Sequence, residues 1–237
     1  MNHIIHIKSI SSFNNISIKA YIIDKCNFNC LYCYNNIPRS YYMLDLNMLY
    51  KSILYILDTI KIPIKLELIG GEPTLHPNLI AFCKKLLHNI NITECIIYSN
   101  FSANISVYEE LLRNDKINLY LSWHSTYNDS LNKQYINNMH KLVNKFDKMT
   151  LKQKVFYIIM FEHKHIYEAL KIYKECLSMK ISDVLLMLIS NTNIYKIKYS
   201  SYQLEIYKKN IKNNNIYTDN NIGVIDDIGN YYEINDN

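Results

Sequence analysis

Short apolar runs alternate with longer amphipathic segments along most of the chain. The runs are rich in β-branched and aromatic residues, which favour strands, and the segments between them repeat apolar residues at helical spacing. The predicted strands are 17–24, 64–69, 94–100, 117–124, 154–161 and 182–189. The predicted helices are 45–60, 77–90, 104–114, 129–148, 164–178 and 201–212. This alternation predicts a parallel sheet built from six β-α units.

Capping residues and apolar stripes support the first two predicted helices. Asp45 is a plausible N-cap, and Pro77 stands where a helix begins and proline is tolerated. The predicted buried faces are Leu49, Ile53, Leu57 and Ile60 in the first helix and Leu79, Cys83, Leu86, Leu87 and Ile90 in the second. We therefore expect each helix to pack one face against the sheet.

The composition is that of one globular domain. The chain has 237 residues, of which 49% are hydrophobic, and its net charge of +5 is a mild excess spread over the predicted helices. Nucleic-acid binders usually cluster their basic residues, so this pattern argues against a nucleic-acid partner. No apolar run approaches the length of a membrane span, and the N-terminus lacks the pattern of a signal peptide. We therefore predict a cytoplasmic protein without a membrane partner, in which cysteines stay reduced.

Three of the six cysteines form a compact group directly after the first predicted strand, in the sequence Cys26-Asn-Phe-Asn-Cys30-Leu-Tyr-Cys33. Under reducing conditions such a group indicates metal binding before a disulfide. A [4Fe–4S] cluster normally takes four cysteines, so three would leave one iron open for chemistry. The alternatives are a zinc site, which prefers four ligands, or ordinary buried cysteines. The remaining cysteines are predicted to lie in the core, and they are Cys83, Cys95 and Cys176.

A second motif, Gly70-Gly71-Glu72-Pro73, follows the second predicted strand. The chain has only 4 glycines, and two stand together here, where a backbone can approach a ligand closely. Taken together, the C-x3-C-x2-C spacing and the Gly-Gly-Glu-Pro turn resemble the radical S-adenosylmethionine (radical SAM) superfamily. The two motifs combined are much more specific than either one alone.

This resemblance implies an enzyme with a [4Fe–4S] cluster on Cys26, Cys30 and Cys33 and with S-adenosyl-L-methionine (SAM) chelated at the open iron. One electron from the reduced cluster would break the S–C5′ bond of SAM, and the resulting 5′-deoxyadenosyl radical would abstract hydrogen from a substrate. The implied partners are an electron donor such as flavodoxin or ferredoxin and a peptide or small-molecule substrate, with peptide modification common among similar relatives. Two alternatives stay open: a non-catalytic iron–sulfur or zinc-binding module, and a truncated, inactive relative.

The predicted cofactor-binding residues follow from the same resemblance. They are Gly70, Gly71, Glu72, Pro73, Ser99, Asn100 and Ser122, for which a tight turn and helix capping are the alternative explanations. All lie at the carboxyl ends of predicted strands, where α/β barrels build their active sites. Strand alternation puts Ser122 and His124 on one face, which we predict to line the lumen. His124 is a candidate proton donor or acceptor, with a structural histidine as an equal alternative.

The six units resemble the partial (β/α)6 TIM-like barrel of this superfamily, because a complete eight-unit barrel usually needs a longer chain. We predict an irregular lead-in at 1–16, the core barrel at 17–213 and a C-terminal β extension at 214–237. Within the extension, the segment from Ile222 to Ile234 indicates a strand, an Asp/Gly turn and a second strand, which together would form a β-hairpin.

Overall fold

A seven-stranded sheet organises the fold, and its strands follow one another in the sheet in the same order as in the chain. The structure is a computed structural model that describes residues 6–8, 16–30, 33, 42–125, 129–161, 165–179, 184–188, 223–225 and 231–233. The strands are β1 (His6–Lys8), β2 (Ile16–Tyr21), β3 (Ile64–Ile69), β4 (Ile92–Ser99), β5 (Ile117–His124), β6 (Val155–Phe161) and β7 (Val184–Leu188). Neighbours from β2 to β7 pair in parallel, which confirms the predicted α/β fold.

Helices connect the parallel strands and cover one face of the sheet. They are α1 (Leu46–Ile60), α2 (Leu79–Leu87), α3 (Ile105–Leu112), α4 (Asp129–Lys145), α5 (Lys148–Lys154) and α6 (Ile166–Met179). Strand β5 shows the alternation: Leu119, Leu121 and Trp123 are buried in one core cluster with the helices. Ser122 and His124 lie on the opposite face and are only partly buried, as expected for the lumen. No helix in the described residues is long and apolar enough to cross a membrane.

Several predicted element ends are corrected by the structure. The predicted cap of α1 is confirmed, because the Asp45 carboxylate accepts a hydrogen bond from the Asn47 N–H at 2.8 Å. The second helix starts at Leu79 rather than Pro77, after a separate 3-10 turn, and ends at Leu87. Ile90 was predicted to be buried but is 85% exposed, because it lies beyond the end of that helix. Ile60, the last residue of α1, is also exposed rather than buried.

Two further corrections concern segments predicted as irregular or continuous. The lead-in at 1–16 contains β1, which pairs antiparallel with β2 through backbone contacts that carry no sequence signal. The single helix predicted at 129–148 is divided into α4 and α5. The division occurs because the Asp147 carboxylate caps a new helix by accepting from the Thr150 N–H at 2.9 Å.

The C-terminal extension contains the predicted hairpin. Strands β8 (Gly223–Ile225) and β9 (Tyr231–Glu233) pair antiparallel, with Val224 opposite Tyr232. The predicted helix at 201–212 and the predicted boundary between 213 and 214 lie outside the described residues.

Candidate active site

The segment between β2 and the first loop cysteine is held by neighbours on both sides. On one side, the Gly71 N–H donates to the Ile23 carbonyl at 2.6 Å, which extends the parallel pairing of β2 with β3 beyond the strand ends. On the other side, the chain returning from the cysteine loop pairs antiparallel, and its Leu44 N–H donates to the Ile22 carbonyl at 2.9 Å. The cysteine loop therefore begins and ends at fixed backbone positions.

Gly70 and Gly71 bring the end of β3 closer to this segment than a side chain would allow. A Cβ atom at Gly70 would lie 2.4 Å from the Ile23 carbonyl oxygen. One at Gly71 would lie 2.4 Å from the carbonyl oxygens of both Asp24 and Lys25. Backbone atoms cannot rotate aside as a flexible side chain can, so this approach requires glycine at both positions. The sequence predicted a close approach of this turn to a ligand, and the structure shows a close approach to the backbone of the cysteine segment.

The Glu72 carboxylate is buried and joins the turn after β3 to the end of β4. Its side chain is 1% exposed. One oxygen accepts hydrogen bonds from the Ser99 hydroxyl at 2.8 Å and from the Thr74 hydroxyl at 2.6 Å. The other oxygen accepts from the Asn100 N–H at 2.7 Å. Burial raises the pKa of Glu72, and these hydrogen bonds partly offset that effect. Both carboxylate oxygens are thus satisfied by the chain itself.

Asn100 connects the end of β4 to the cysteine loop. Its side-chain nitrogen Nδ2 donates to Asn27 Oδ1 at 2.9 Å and lies 3.8 Å from Cys26 Sγ. Ser102 completes the connection, because Asn27 Nδ2 donates to the Ser102 hydroxyl oxygen at 2.7 Å. The structure therefore places one of the predicted cofactor-binding residues, Asn100, beside the first cysteine, while its neighbour Ser99 binds the Glu72 carboxylate.

Phe101 makes the sharp turn between Asn100 and Ser102. Its backbone has φ 58°, a left-handed conformation that is uncommon for a residue other than glycine. The ring is fully buried, with edge-to-face contacts to Tyr108 at 4.7 Å and Tyr135 at 5.3 Å between ring centroids. Asn138 on α4 donates to the Phe101 carbonyl at 2.9 Å. Packing and this hydrogen bond stabilise a strained backbone that holds Asn100 near the cysteine loop.

Ser122 and His124 end β5 on the lumen face, as predicted. The Ser122 hydroxyl donates to the Ser99 carbonyl at 3.2 Å and lies 2.7 Å from His124 Nε2. The imidazole also meets the ring of Phe28, in the cysteine loop, at 5.9 Å between centroids. Burial lowers the pKa of His124 to about 4, so the ring is neutral at pH 7. A neutral imidazole can donate one hydrogen bond and accept another.

A charged pair and aromatic rings line the lumen nearer the amino ends of the strands. Lys19 Nζ lies 3.0 Å from a Glu67 carboxylate oxygen that also accepts from the Tyr98 hydroxyl at 3.3 Å. Burial opposes ionisation of Glu67, but the hydrogen bonds from Lys19, Ser17 and Tyr98 outweigh it and lower the pKa. Tyr98 packs edge-on against Tyr120 at 5.0 Å between centroids. The lumen therefore offers charge, hydroxyl groups and aromatic surface to a ligand.

The six cysteines fall into two groups by exposure. Those of the loop are partly exposed and those elsewhere are buried, namely Cys26, Cys30 and Cys33 in the first group and Cys83, Cys95 and Cys176 in the second. Within the described residues, no three Cys, His, Asp or Glu side chains converge as a single metal ion would require. A [4Fe–4S] cluster takes its thiolates one per iron, and the three partly exposed loop thiols are the number that such a cluster with one open iron would use.

Sequence reasoning missed four residues that hold the site together. Thr74, Asn27 and Ser102 form hydrogen bonds described above, and His76 Nε2 lies 3.0 Å from the Leu44 carbonyl at the returning end of the cysteine loop. A signal for Thr74 was present, because an acidic residue before Pro is a helix-start pattern. The contact between Asn27 and Ser102 had no local signal, since it depends on how two distant loops meet.

The family follows from comparison with known proteins. Residues 21–186 match the model of the Radical SAM superfamily, which is more than half of the chain. The chain belongs to the radical SAM superfamily. Enzymes of this superfamily use a [4Fe–4S] cluster and SAM, so the predicted family and its cofactors are confirmed. The partial TIM-like barrel is consistent with this membership.

Individual relatives show how far the similarity extends. The chain is 31% identical over 87 residues to GTP 3′,8-cyclase of Picosynechococcus sp., which covers 35% of this chain and 26% of that protein. Its fold is similar to that of Streptococcus suis SuiB bound to S-adenosylmethionine, with a TM-score of 0.57, 19% identity, and coverage of 84% of this chain and 48% of SuiB. It is also similar to anSMEcpe with bound AdoMet and Cp18Cys peptide, with a TM-score of 0.54, 17% identity, and coverage of 84% and 58%. The chain thus spans less than two thirds of each of these relatives.

Proposed function

We propose that this protein is a radical SAM enzyme that holds a [4Fe–4S] cluster through Cys26, Cys30 and Cys33 and cleaves SAM reductively. The supporting observation is one connected network at the carboxyl ends of β2 to β5. In it, the Glu72 carboxylate binds the end of β4, and Asn100 reaches from there to Asn27 and Cys26. When bound, the cluster and SAM would supply one electron and a 5′-deoxyadenosyl radical for hydrogen abstraction.

The residues of the network divide into binding and positioning groups. Gly70 and Gly71 present backbone groups beside the cysteine segment, and we assign them to the methionine part of SAM. Ser99, Asn100 and Ser122 supply polar groups around the same edge, and Pro73 begins the 3-10 turn that carries Thr74. Glu72 positions these elements through its carboxylate. His124, neutral and beside Phe28, is the candidate proton donor or acceptor toward the substrate.

We further propose that the substrate is a peptide. Proteins of similar fold include SuiB bound to the precursor peptide SuiA and anSMEcpe with a peptide. In this chain, the lumen carries the Lys19–Glu67 ion pair beside Tyr98 and Tyr120. Such a surface can bind the amide groups and side chains of a peptide segment.

The experiment is anaerobic reconstitution with iron and sulfide, followed by addition of SAM and a strong reductant. We expect 5′-deoxyadenosine by chromatography and a change in the cluster's electron-spin-resonance signal on addition of SAM. Cys30→Ala should lose both cluster and product, whereas Cys83→Ala, at a buried cysteine outside the loop, should retain both. The proposal fails if the cluster survives Cys30→Ala and is lost in Cys83→Ala. It also fails if a loaded cluster yields no product and does not respond to SAM.

A further inference from the structure

A polar groove lies on the outside of the barrel, between the beginning of α3 and the first turns of α4. Its volume is about 640 Å³. Asn104 lines one side, and Lys133, Gln134, Asn137 and Lys141 line the other. The groove is separate from the lumen, since it is formed by helices on the outer face.

The described side chains that line this groove carry a net positive charge. Lys133 and Lys141 are exposed and lie on one side of α4, with Asn137 between them. Among the residues whose side chains the structure describes, neither lysine has an ion-pair partner and no acidic side chain lines the groove. The next lysine along α4 behaves differently, because Lys145 pairs with Glu109 at 2.7 Å. Unpaired positive charge of this kind attracts and orients acidic partners.

The groove is joined to the cysteine loop through Ser102. Gln134 Nε2 donates to the Ser102 carbonyl at 2.5 Å, and the Ser102 hydroxyl accepts from Asn27 at 2.7 Å. Asn27 follows Cys26 in the chain. A molecule seated in the groove would therefore lie close to the proposed cluster without entering the lumen. Electron transfer slows steeply with distance, so closeness of this kind is what an electron donor needs.

We propose that this groove docks an acidic one-electron donor protein of the flavodoxin or ferredoxin type. The proposal rests on the proposed function, because reductive cleavage of SAM consumes one electron. The donor would be oxidised by one electron, which a bound cluster would supply to the sulfonium of SAM. Breaking the S–C5′ bond would then give methionine and the 5′-deoxyadenosyl radical, with no proton transferred. Docking outside the barrel leaves the lumen free for the substrate.

The test compares two reductants by following bleaching of the cluster in a stopped-flow instrument. The first reductant is a reduced acidic flavodoxin at low ionic strength, and the second is dithionite. For Lys133→Glu/Lys141→Glu we expect reduction by flavodoxin to slow by about tenfold or more, because reversed charge removes electrostatic steering. Reduction by dithionite should be unchanged, which shows that the cluster site is intact.

The matched control is Lys148→Glu/Lys152→Glu on α5. These exposed lysines carry the same charge change but lie at the amino end of β6, away from the cysteine loop. We expect this variant to remain within about twofold of wild type with both reductants. Added salt should slow wild type toward the groove variant.

Two outcomes would overturn the docking site: no slowing in the groove variant, or equal slowing in the groove and control variants. A wild-type protein that cleaves SAM with dithionite would retain the proposed function in either case. Failure of the proposed function would show instead as a wild-type cluster that yields no 5′-deoxyadenosine and does not respond to SAM.

Discussion

Glu72 illustrates how a single buried side chain fixes the geometry of the site. Its carboxylate accepts from two backbone N–H groups, those of Thr74 and Asn100, on its two different oxygens. In Glu72→Gln, either orientation of the amide turns its NH2 group toward one of these donors. We expect a loss of about 1–3 kcal/mol in the free energy of unfolding, because a buried N–H loses its acceptor. Urea unfolding should show the loss, and Asp58→Asn, at an exposed position of α1, should leave the midpoint unchanged. An unchanged midpoint for Glu72→Gln would contradict this role.

His124 should make stability depend on pH between its unfolded and folded pKa values. Its folded pKa is lowered from 6.5 to about 4 by burial. As pH falls from about 6.5 to about 4, the unfolded chain binds a proton that the native state excludes, so the free energy of unfolding decreases. Above pH 6.5 both states are unprotonated at this residue, and His124 no longer makes stability depend on pH. From pH 7 to 5 we expect wild type to lose about 2 kcal/mol more than His124→Gln. Urea unfolding at both pH values measures this, with the exposed His88→Gln as the control that should follow wild type.

At the same scale, the sequence predicted which residues meet but not what each one does. Ser99, Asn100 and Cys26 were expected together because the carboxyl ends of parallel strands share one edge. The role of Glu72 in joining the turn after β3 to the end of β4 was not predicted, since its hydrogen-bond donors come from a neighbouring strand and a turn. The sharp turn at Phe101 was not predicted either, because the sequence does not indicate a left-handed backbone at a buried aromatic residue.

Among the structural elements, the turn after β3 depends on the absence of side chains. In Gly71→Ala, the new Cβ would lie 2.4 Å from the carbonyl oxygens of Asp24 and Lys25. We expect a loss of about 1–3 kcal/mol, as for other overpacked sites, together with weaker retention of the cluster. Urea unfolding and the iron content after reconstitution measure the two effects. Ser52→Ala, at an exposed position of α1, should change neither. Normal iron content in Gly71→Ala would contradict the idea that this close approach positions the cysteine loop.

Element prediction succeeded where the signal was local and failed where it was not. Periodicity predicted the parallel strands β2 to β7 and the helices that connect them, because it reflects which face of each element is buried. The boundary of α2 was wrong because apolar Ile90 continues the spacing of the helix beyond its end at Leu87. The short strand β1 was missed because its pairing with β2 is a backbone contact. The division of α4 from α5 had a signal in the sequence, since Asp147 stands three residues before Thr150, which is the spacing of an N-cap and the N–H that it accepts from.

Considered as a whole molecule, the barrel separates two surfaces that the proposed chemistry needs. The lumen face carries His124 and the Lys19–Glu67 pair, while the outer face carries the groove with Lys133 and Lys141. The cysteine loop lies between them and contacts both, through Phe28 on the lumen side and Asn27 on the outer side. An electron could therefore arrive from one side while hydrogen is abstracted from a substrate on the other.

This arrangement predicts that SAM stabilises the whole protein only when the cluster site is intact. A ligand at one hundred times its dissociation constant adds about 2.7 kcal/mol, or about 5–10 °C in apparent Tm for a chain of this size. We expect SAM to raise the apparent Tm of the reconstituted wild type and of Cys83→Ala by this amount. In Cys30→Ala most of the shift should disappear, because the iron that SAM would chelate is lost while the glycine turn remains. Anaerobic thermal scans at one fixed rate measure the shift. An equal shift in Cys30→Ala would mean that SAM binds without the cluster. SAM binding would then not depend on the cysteine loop.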